Sequence, residues 1–272
     1  MSSRKSYVVE TLRKAQLLEL LSKGTRLDGR GLSDIRKLEI QTGVIGKANG
    51  SAMVSLGNTQ VIAGVKIDKG IPFPDTPDKG LLICGAEVLP LAAANLEAGP
   101  PDESAIELAR VVDRGIRESE MIDMSTMVIK AGKFVYAIFA DVNVLNVDGN
   151  LFDATSYAVV ASLLTAKMPR FVMEGDAVKN TGEMNPVPVL KVPVSLTMAS
   201  IGNTLVADPT SEEEPVMDAR ITLTTDGEGN ICAGQKGEPG ALTQEQILTA
   251  ADWAVSKGNE IRAAIKEATG RA

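Results

Sequence analysis

The stretch from Val147 to Thr155 has the position of an anion site, because it joins a predicted strand to a predicted helix. β-Branched and aromatic residues predict the strand over Phe134 to Val147. An apolar run predicts the helix over Ala154 to Lys167, and Met168-Pro169 ends it. The N-terminus of a helix attracts phosphate, because its first backbone N–H groups lack partners and its dipole is positive there. The turn could therefore bind phosphate.

The side chains of this turn favour a closed helix end instead. A working phosphate site adds glycines for close approach and a basic or hydroxyl side chain. Here Asn150 can cap the helix, and Asp153, three residues later, fits the pattern of a capping box. We therefore predict that the protein fills its own anion site, while phosphate binding stays open as the alternative.

A row of arginines is the second feature that could do chemistry. On a helix predicted from Ala105 to Ser119, Arg110, Arg114 and Arg117 share one face, and apolar residues at helical spacing share the other. Guanidinium groups at this spacing suit successive phosphates of an extended single strand. The predicted helix would present them side by side.

Other charges favour a simpler interpretation of this face. Glu107 lies three residues before Arg110, and Asp113 lies four before Arg117. Such spacings are typical of a solvated helix face with weak ion pairs. The net charge of −7 also argues against a chain that binds nucleic acid through its overall field. From these residues alone, any RNA contact must be local or shared with a partner.

An acidic stretch from Asp208 to Pro215, followed by Asp218, could hold Mg²⁺ through carboxylates. Runs of this kind are more often exposed loops. Asp218 differs from the others because it directly precedes a strand predicted from Ala219 to Thr225. A structural role and a metal role for Asp218 stay equally open, and we assign no metal ligand.

The 272 residues include no histidine. This excludes Ser-His and Cys-His nucleophile pairs, acid–base catalysis by histidine and His-ligated metals. The 44% hydrophobic content suffices for a substantial core. No apolar run approaches the roughly 20 residues needed to span a membrane. We expect a globular protein with a cytoplasmic location and no membrane partner.

The order of predicted elements indicates an α+β fold in two similar halves. A helix predicted from Val8 to Lys23 precedes an antiparallel meander of three strands. The proline-spaced stretch Met184 to Val189 resembles a linker, so the halves divide into residues 1–180 and 181–272. The second half repeats the order of strands followed by a helix, here predicted from Thr243 to Glu267.

A short repeated sequence supports the view that the two halves arose by duplication. Ser55 to Val61 reads Ser-Leu-Gly-Asn-Thr-Gln-Val, and Ser200 to Val206 reads Ser-Ile-Gly-Asn-Thr-Leu-Val. Gly-Asn turns are common in hairpins, so convergence explains these few residues equally well. The matching order of elements makes duplication the better interpretation.

Several segments together, in their order and spacing, resemble the RNase PH family over nearly the whole chain. These are Arg26-Leu27-Asp28-Gly29-Arg30, Gly50-Ser51-Ala52, Gly57-Asn58-Thr59, Val88-Leu89-Pro90-Leu91-Ala92, Arg110-Val111-Val112-Asp113-Arg114-Gly115-Ile116-Arg117, Val206-Ala207-Asp208-Pro209-Thr210 and Val216-Met217-Asp218-Ala219-Arg220. The chain is most similar to the non-catalytic RNase PH-like subunit of the archaeal exosome. The resemblance implies duplicated RNase PH-type halves (ribosomal protein S5 domain 2-like) with sheets covered by helices.

Active members of the family cleave RNA from its 3′ end with inorganic phosphate as nucleophile. The resemblance implies three features of an active subunit. Where the family has a Gly-Gly-Thr-Arg-type phosphate loop, this chain has the stretch from Asp148 to Asp153. Where it has an adjacent arginine pair before the central helix, this chain has Glu103-Ser104. The third feature, an aspartate in the second half, matches Asp218. Acids that replace bases beside two anionic reactants make activity unfavourable.

The resemblance therefore implies a non-catalytic subunit of a ring that degrades RNA from 3′ to 5′ by phosphorolysis. Such a subunit structures the active site of a catalytic homologue, and Arg110, Arg114 and Arg117 contact RNA there. No residue of this chain is assigned a catalytic role. The alternative is a phosphate-dependent exoribonuclease that is active in its own right, and a third possibility is a scaffold that never touches RNA.

The resemblance also implies partners. They are a catalytic RNase PH-like subunit in a hexameric ring of three heterodimers, S1- or KH-type RNA-binding cap subunits, and single-stranded RNA. The chain itself is expected to bind no cofactor. Inorganic phosphate is used at the partner's active site, where the use of Mg²⁺ stays open.

Overall fold

The computed structural model describes residues 13–93 and 99–271. Residues 13–22 form helix α1, and Gly24 follows it with φ of +74°. The helix was predicted from Val8, and its first five residues lie outside the described ones. Leu17 and Leu21 on α1 pack against Ile201 and Val206, so this helix rests on the second half of the chain.

The first half is built on one mixed sheet. Its strands are β1 (Leu38–Thr42), β2 (Gly50–Leu56), β3 (Thr59–Gly70), β4 (Leu81–Val88), β5 (Val128–Lys130) and β6 (Phe134–Asn146). The predicted meander of β1, β2 and β3 is confirmed. Strand β6 pairs antiparallel with β3 and parallel with β4, while the short β5 adds to β6. A 3₁₀ helix, Pro90–Ala92, follows β4.

Two helices belong to this half, α2 (Glu103–Glu118) and α3 (Leu151–Thr165). Helix α3 is apolar on all sides, and almost every residue is buried, as expected for a helix inside the core. It was predicted to reach Lys167, but it ends at Thr165 because the chain turns into a strand. Helix α2 is amphipathic and buries the predicted apolar side.

A hairpin follows α3 that the sequence did not predict. Its strands are β7 (Lys167–Glu174) and β8 (Ala177–Pro186), which pair with each other. Met184 to Val189, predicted as a linker, therefore starts inside a strand. The prolines suggested a break, but Pro169 and Pro186 lie on a two-stranded ribbon, where a proline costs few ladder hydrogen bonds. Residue 180 lies within β8, and the division of the chain there stays a prediction.

The second half contains an antiparallel sheet in the order β10-β9-β11-β12, followed by a long helix. The elements are β9 (Val194–Ile201), β10 (Thr204–Ala207), β11 (Ala219–Thr225), β12 (Ile231–Gly237) and α4 (Gln244–Thr269). Thr243 and Gln246 form a full capping box at the start of α4. The short repeated sequence of the two halves corresponds to two tight hairpins, with Gly57 at φ of +58° and Gly202 at +61°.

The helices cover the two sheets and join them. Helix α3 packs on β2 and β3 and also on β9, α2 packs on β4 and β12, and α4 packs on β9 and β11. One hydrophobic core runs through both halves. The predicted α+β architecture, with two sheet-and-helix halves, is confirmed. Among the described residues, no helix combines the length and the apolar character needed to cross a membrane.

Candidate functional site

The turn before α3 is a closed helix N-terminus. Gly149 has φ of +80°, and Asn150 adopts a left-handed conformation with φ of +52°. The side chain of Asn150 accepts a hydrogen bond from Asp153 N at 3.4 Å. The predicted N-cap is confirmed, and both residues take the backbone geometry that Gly and Asn tolerate best.

The predicted capping box is wrong in one detail. Asp153 does not reach the backbone N–H of Asn150. That N–H donates to Glu214 Oε1, at 2.8 Å. A carboxylate from the second half thus occupies the position where an anion would bind, which confirms that the protein fills this site itself. The sequence placed Glu214 only within the acidic stretch, because no pattern relates it to a turn 64 residues away.

Asp153 instead ties α3 to the second sheet. Its carboxylate accepts hydrogen bonds from Asn150 Nδ2 at 2.8 Å, from Thr197 N at 2.9 Å and from Thr197 Oγ1 at 2.8 Å. The side chain is fully buried, and burial raises the pKa of Asp153 to about 7. Burial also raises the pKa of Glu214. Both shifts reflect the cost of acids removed from water.

Asp208 lies next to this helix end and is also buried. Arg36 binds it in a fork, with Nε to Oδ2 at 2.9 Å and Nη2 to Oδ1 at 2.7 Å. Arg30 Nη1 and Asn150 Nδ2 donate to the same carboxylate at 3.0 and 2.7 Å. Burial opposes ionisation of Asp208, but the hydrogen bonds and charge of Arg36 outweigh it and lower its pKa. Asp208 is therefore charged and paired.

The stretch from Asp208 to Pro215 is not the exposed acidic loop that the sequence favoured. Glu213 is buried and accepts hydrogen bonds from Arg26 Nε and Nη2. Arg26 also donates to the backbone oxygens of Ala207 and Asp208. The turn from Arg26 to Arg30 thus fastens the N-terminal segment to the second half. The sequence could not show this, because the arginine partners lie far away along the chain.

Asp218 serves as a structural link. Its Oδ1 accepts from Lys14 Nζ at 2.6 Å, and its Oδ2 accepts from Gly202 N at 2.6 Å. Burial acts to raise the pKa of Asp218, but the hydrogen bonds from Lys14 and Gly202 and the charge of Lys14 together outweigh it, so the pKa is lowered. The ammonium group of Lys14 already occupies the position beside Asp218 Oδ1 and would repel a bound cation. The described residues contain no group of three or more His, Cys, Asp or Glu side chains that could hold a metal ion. This donor set does not fit Mg²⁺.

The three arginines of the predicted stripe all lie on the exposed face of α2. Arg110 has no hydrogen bond or ion pair among the described residues. Arg114 donates to the neutral side chain of Gln235 at 3.2 Å. Arg117 pairs with Asp113 at 2.9 and 3.0 Å, as predicted. The shared face is therefore confirmed as geometry, while its contact with RNA stays a prediction.

One of the two predicted ion pairs on α2 is wrong. Glu107 turns from Arg110 to Arg220 Nη2, at 2.7 Å. The guanidinium of Arg220 also lies over the ring of Phe152, 4.1 Å from its centre. Glu107 therefore does not pair with Arg110. It pairs with Arg220 because that guanidinium is buried, where a charge without a counter-charge is more costly. Glu103 and Ser104, at the start of the same helix, are exposed.

The arrangement has a clear chemical consequence. The sequence singled out one helix end, the start of α3, as a possible phosphate site. Glu214 occupies this helix end, and Asp153 and Asp208 lie beside it on the side chain of Asn150. An incoming phosphate would meet negative charge and no free N–H of Asn150. The three exposed arginines of the stripe lie elsewhere, on α2.

Comparison with known proteins agrees with this fold. Residues 34–169 match the model described as 3′ exoribonuclease family, domain 1, and residues 191–257 match domain 2 of the same family. The Exosome complex component Rrp42 of Thermococcus kodakarensis is 49% identical over 97% of this chain and 98% of its own length. The protein of the same name from Thermoplasma acidophilum is 48% identical over 94% and 95%.

Solved structures show the same likeness. An Archaeoglobus fulgidus exosome with RNA bound to the active site contains a chain with 42% identity and a TM-score of 0.88, covering 95% of this chain and 100% of that one. Rice Rrp46 shares the fold, with a TM-score of 0.69 at 15% identity over 89% of this chain and 98% of its own. The chain therefore belongs to the 3′ exoribonuclease family, the RNase PH family.

Proposed function

We propose that this chain is a non-catalytic subunit of an exosome-type ring that degrades RNA from 3′ to 5′ by phosphorolysis. The observation that carries the proposal is the hydrogen bond from Asn150 N to Glu214 Oε1, at 2.8 Å. In a phosphorolytic site, phosphate must bind as the nucleophile. Here an internal carboxylate takes that position, and two further acids surround it, so the chain supplies structure and not chemistry.

The second part of the proposal concerns RNA. Arg110 and Arg114 expose guanidinium groups with no ionic partner among the described residues, and Arg117 shares their face of α2. Each can make charge-assisted bonds to a phosphate. A relative from Archaeoglobus fulgidus belongs to an exosome with RNA bound to the active site. We infer that the stripe contacts single-stranded RNA on its way to the active site of a catalytic homologue.

The partners follow from the same proposal. They are a catalytic RNase PH-like subunit, in a ring of three heterodimers, and S1- or KH-type cap subunits. Phosphate, with or without Mg²⁺, acts at the partner's site. The cytoplasmic location also stays a prediction, based on the lack of a long apolar run in the sequence.

The direct test mixes the purified chain with its catalytic homologue and follows phosphate-dependent shortening of RNA. We expect no shortening by this chain alone and more by the mixture than by the homologue alone. Shortening by this chain alone, abolished when phosphate is omitted, would establish the alternative of an active exoribonuclease. Glu214→Gln serves as a further check, because it removes the internal charge without removing the side chain.

A second experiment separates an RNA-contacting subunit from a scaffold. Arg110→Glu combined with Arg114→Glu reverses two exposed charges without touching a buried contact. We expect the assembled ring to bind RNA more weakly, with ring formation unchanged. Arg170→Glu is the matched control, because Arg170 is also exposed but lies on β7, paired with Glu183. A scaffold that never touches RNA would give equal binding by all three rings.

A further inference from the structure

A cavity of about 520 Å³ opens beside the C-terminal end of α2. The loop 71–80 forms one wall, and residues 120–125 form another. Phe73, Lys79, Asp123 and Leu190 line it, together with Arg117, the last residue of the arginine stripe. Its volume lies in the range of small-molecule sites. Through Arg117 the cavity is continuous with the face proposed to contact RNA.

Phe73 offers an aromatic surface to this cavity. It is 56% exposed and is the one exposed phenylalanine of the five in the chain. Pro74 follows it, and the preceding Pro72 is buried, so the backbone on both sides has a fixed φ. The loop is also anchored, with Gly80 N to Met124 O and Gly132 N to Pro77 O both at 2.8 Å. The ring is therefore held out in solvent without a large ordering cost on binding.

The charged groups of the cavity suit a ligand that carries both phosphate and amino groups. Arg117 uses only Nη2 for Asp113 and for Leu82 O, which leaves Nε and Nη1 as donors. Lys79 Nζ has no hydrogen bond or ion pair among the described residues. Asp123 Oδ1 accepts from Ser125 N and Oγ at 2.9 and 2.6 Å, and its Oδ2 has no partner among the described residues.

An apolar peptide or a simple anion would leave part of this set unused. An anion alone would meet Asp123 and Glu120, which also lines the cavity. An apolar side chain would leave the donors of Lys79 and Arg117 without acceptors. A nucleotide satisfies all three kinds of group: its base has a flat face, its amino group donates to carboxylates, and its phosphate accepts from Lys and Arg.

We propose that this cavity binds one nucleotide of the single-stranded RNA whose adjoining phosphates lie along Arg110, Arg114 and Arg117. The base stacks on Phe73, a base amino group donates to Asp123, and the phosphate accepts from Arg117 and Lys79. The inference rests on the proposed function, because it extends the same RNA path by one position. It adds base stacking to a surface that would otherwise contact only the backbone.

The test measures binding of oligoadenylate to the ring assembled from this chain and its catalytic homologue, without inorganic phosphate so that no RNA is consumed. We expect Phe73→Ala to weaken binding by roughly fivefold or more, and Phe73→Tyr to retain it, since stacking on an aromatic ring is the interaction removed. Lys79→Glu should also weaken binding. Ile71→Ala is the control, because Ile71 is 76% exposed in the same loop but does not line the cavity.

The outcomes separate this inference from the proposed function. Unchanged binding by Phe73→Ala and Lys79→Glu, with weaker binding by the Arg110→Glu and Arg114→Glu ring, would overturn the nucleotide site and leave the proposed function standing. Unchanged binding by all of them would overturn both the nucleotide site and the proposed RNA contact of the arginines. If Phe73→Ala stays folded but no longer assembles with the homologue, the cavity is a protein interface and the nucleotide proposal is wrong.

Discussion

Arg36 is the residue that most directly joins the two halves at the closed helix end. Its guanidinium grips the carboxylate of Asp208 in a fork, and its Nη2 also donates to Gly149 O at 3.2 Å. Arg36 and Asp208 lie 172 positions apart, so the sequence did not show that they form a pair. A buried pair of this kind costs desolvation, and its main effect is to make the loss of one partner expensive.

We expect Arg36→Ala to lower the free energy of unfolding by about 3–5 kcal/mol, because it leaves Asp208 charged and buried without its main partner. Urea denaturation of the purified chain measures this. Lys37→Ala is the matched control, since the adjacent Lys37 also pairs with an acid, Glu39, but its side chain is 81% exposed. A similar loss in both variants would show that burial of the pair is not the cause.

Asp153 gives stability an unusual pH dependence. Folding raises its pKa from 3.8 to about 7. Between these values the folded chain keeps the proton that the unfolded chain has released, so a rise in pH favours unfolding. The stabilisation is fully present below pH 3.8 and is lost as pH rises through 7. Asp208, whose pKa is lowered, acts with the opposite sign and only in more acidic solution.

The test compares wild type with Asp153→Asn, which cannot titrate. We expect the stability of wild type relative to the variant to fall as pH is raised from about 4 to 7, by at most about 1.4 kcal/mol per pH unit, and then to level off. Denaturation curves at several pH values measure the difference. A constant offset is expected from altered hydrogen bonds, but parallel pH profiles would contradict the raised pKa.

At the level of elements, the turn before α3 meets the second half backbone to backbone. A Cβ on Gly149 would lie 2.5 Å from Thr210 C and 2.6 Å from Pro209 O, and the residue has φ of +80°. We expect Gly149→Ala to destabilise the chain by about 2–5 kcal/mol, from the left-handed backbone and the overpacking together. Thermal unfolding measures the loss. Gly46→Ala should have little effect, because nothing lies within 4 Å of its Cβ.

The elements also show how far the sequence could predict this structure. Strand β11 has its predicted bounds, Ala219 to Thr225, because alternating apolar residues specify it locally. The β7–β8 hairpin was missed, since β8 is exposed along almost its whole length and has no core-facing pattern. The arginine face of α2 could be predicted, because helical spacing alone determines which residues share a face. The hydrogen-bond partners of Glu107, Glu213 and Glu214 could not be predicted, because they depend on how distant segments pack.

On the scale of the whole molecule, charge decides where RNA can bind. The chain carries a net charge of −7, so its overall field repels a polyanion. Near the start of α3, Asp208 and Glu213 are paired with Arg36 and Arg26, so these two acids contribute little to that field. Binding must therefore come from local basic groups such as the stripe on α2, and it should be sensitive to salt in proportion to the phosphates that these groups contact.

This leads to a quantitative expectation for the ring assembled with the catalytic homologue. Replacing Arg110, Arg114 and Arg117 with Gln removes up to three phosphate contacts. Each contact contributes about 0.7 to the slope of log affinity against log salt for a single strand, so the slope should become shallower by about 2. Binding of single-stranded RNA at several salt concentrations, without phosphate, measures it.

Arg170→Gln is the control for this measurement, because it removes one exposed charge from β7 and should leave the slope unchanged. The slope discriminates better than affinity alone. A variant that disturbs ring geometry would weaken binding at every salt concentration and keep the slope, whereas loss of phosphate contacts changes the slope itself. An unchanged slope in the triple variant would mean that the arginine face of α2 does not meet the RNA backbone, whatever the affinity.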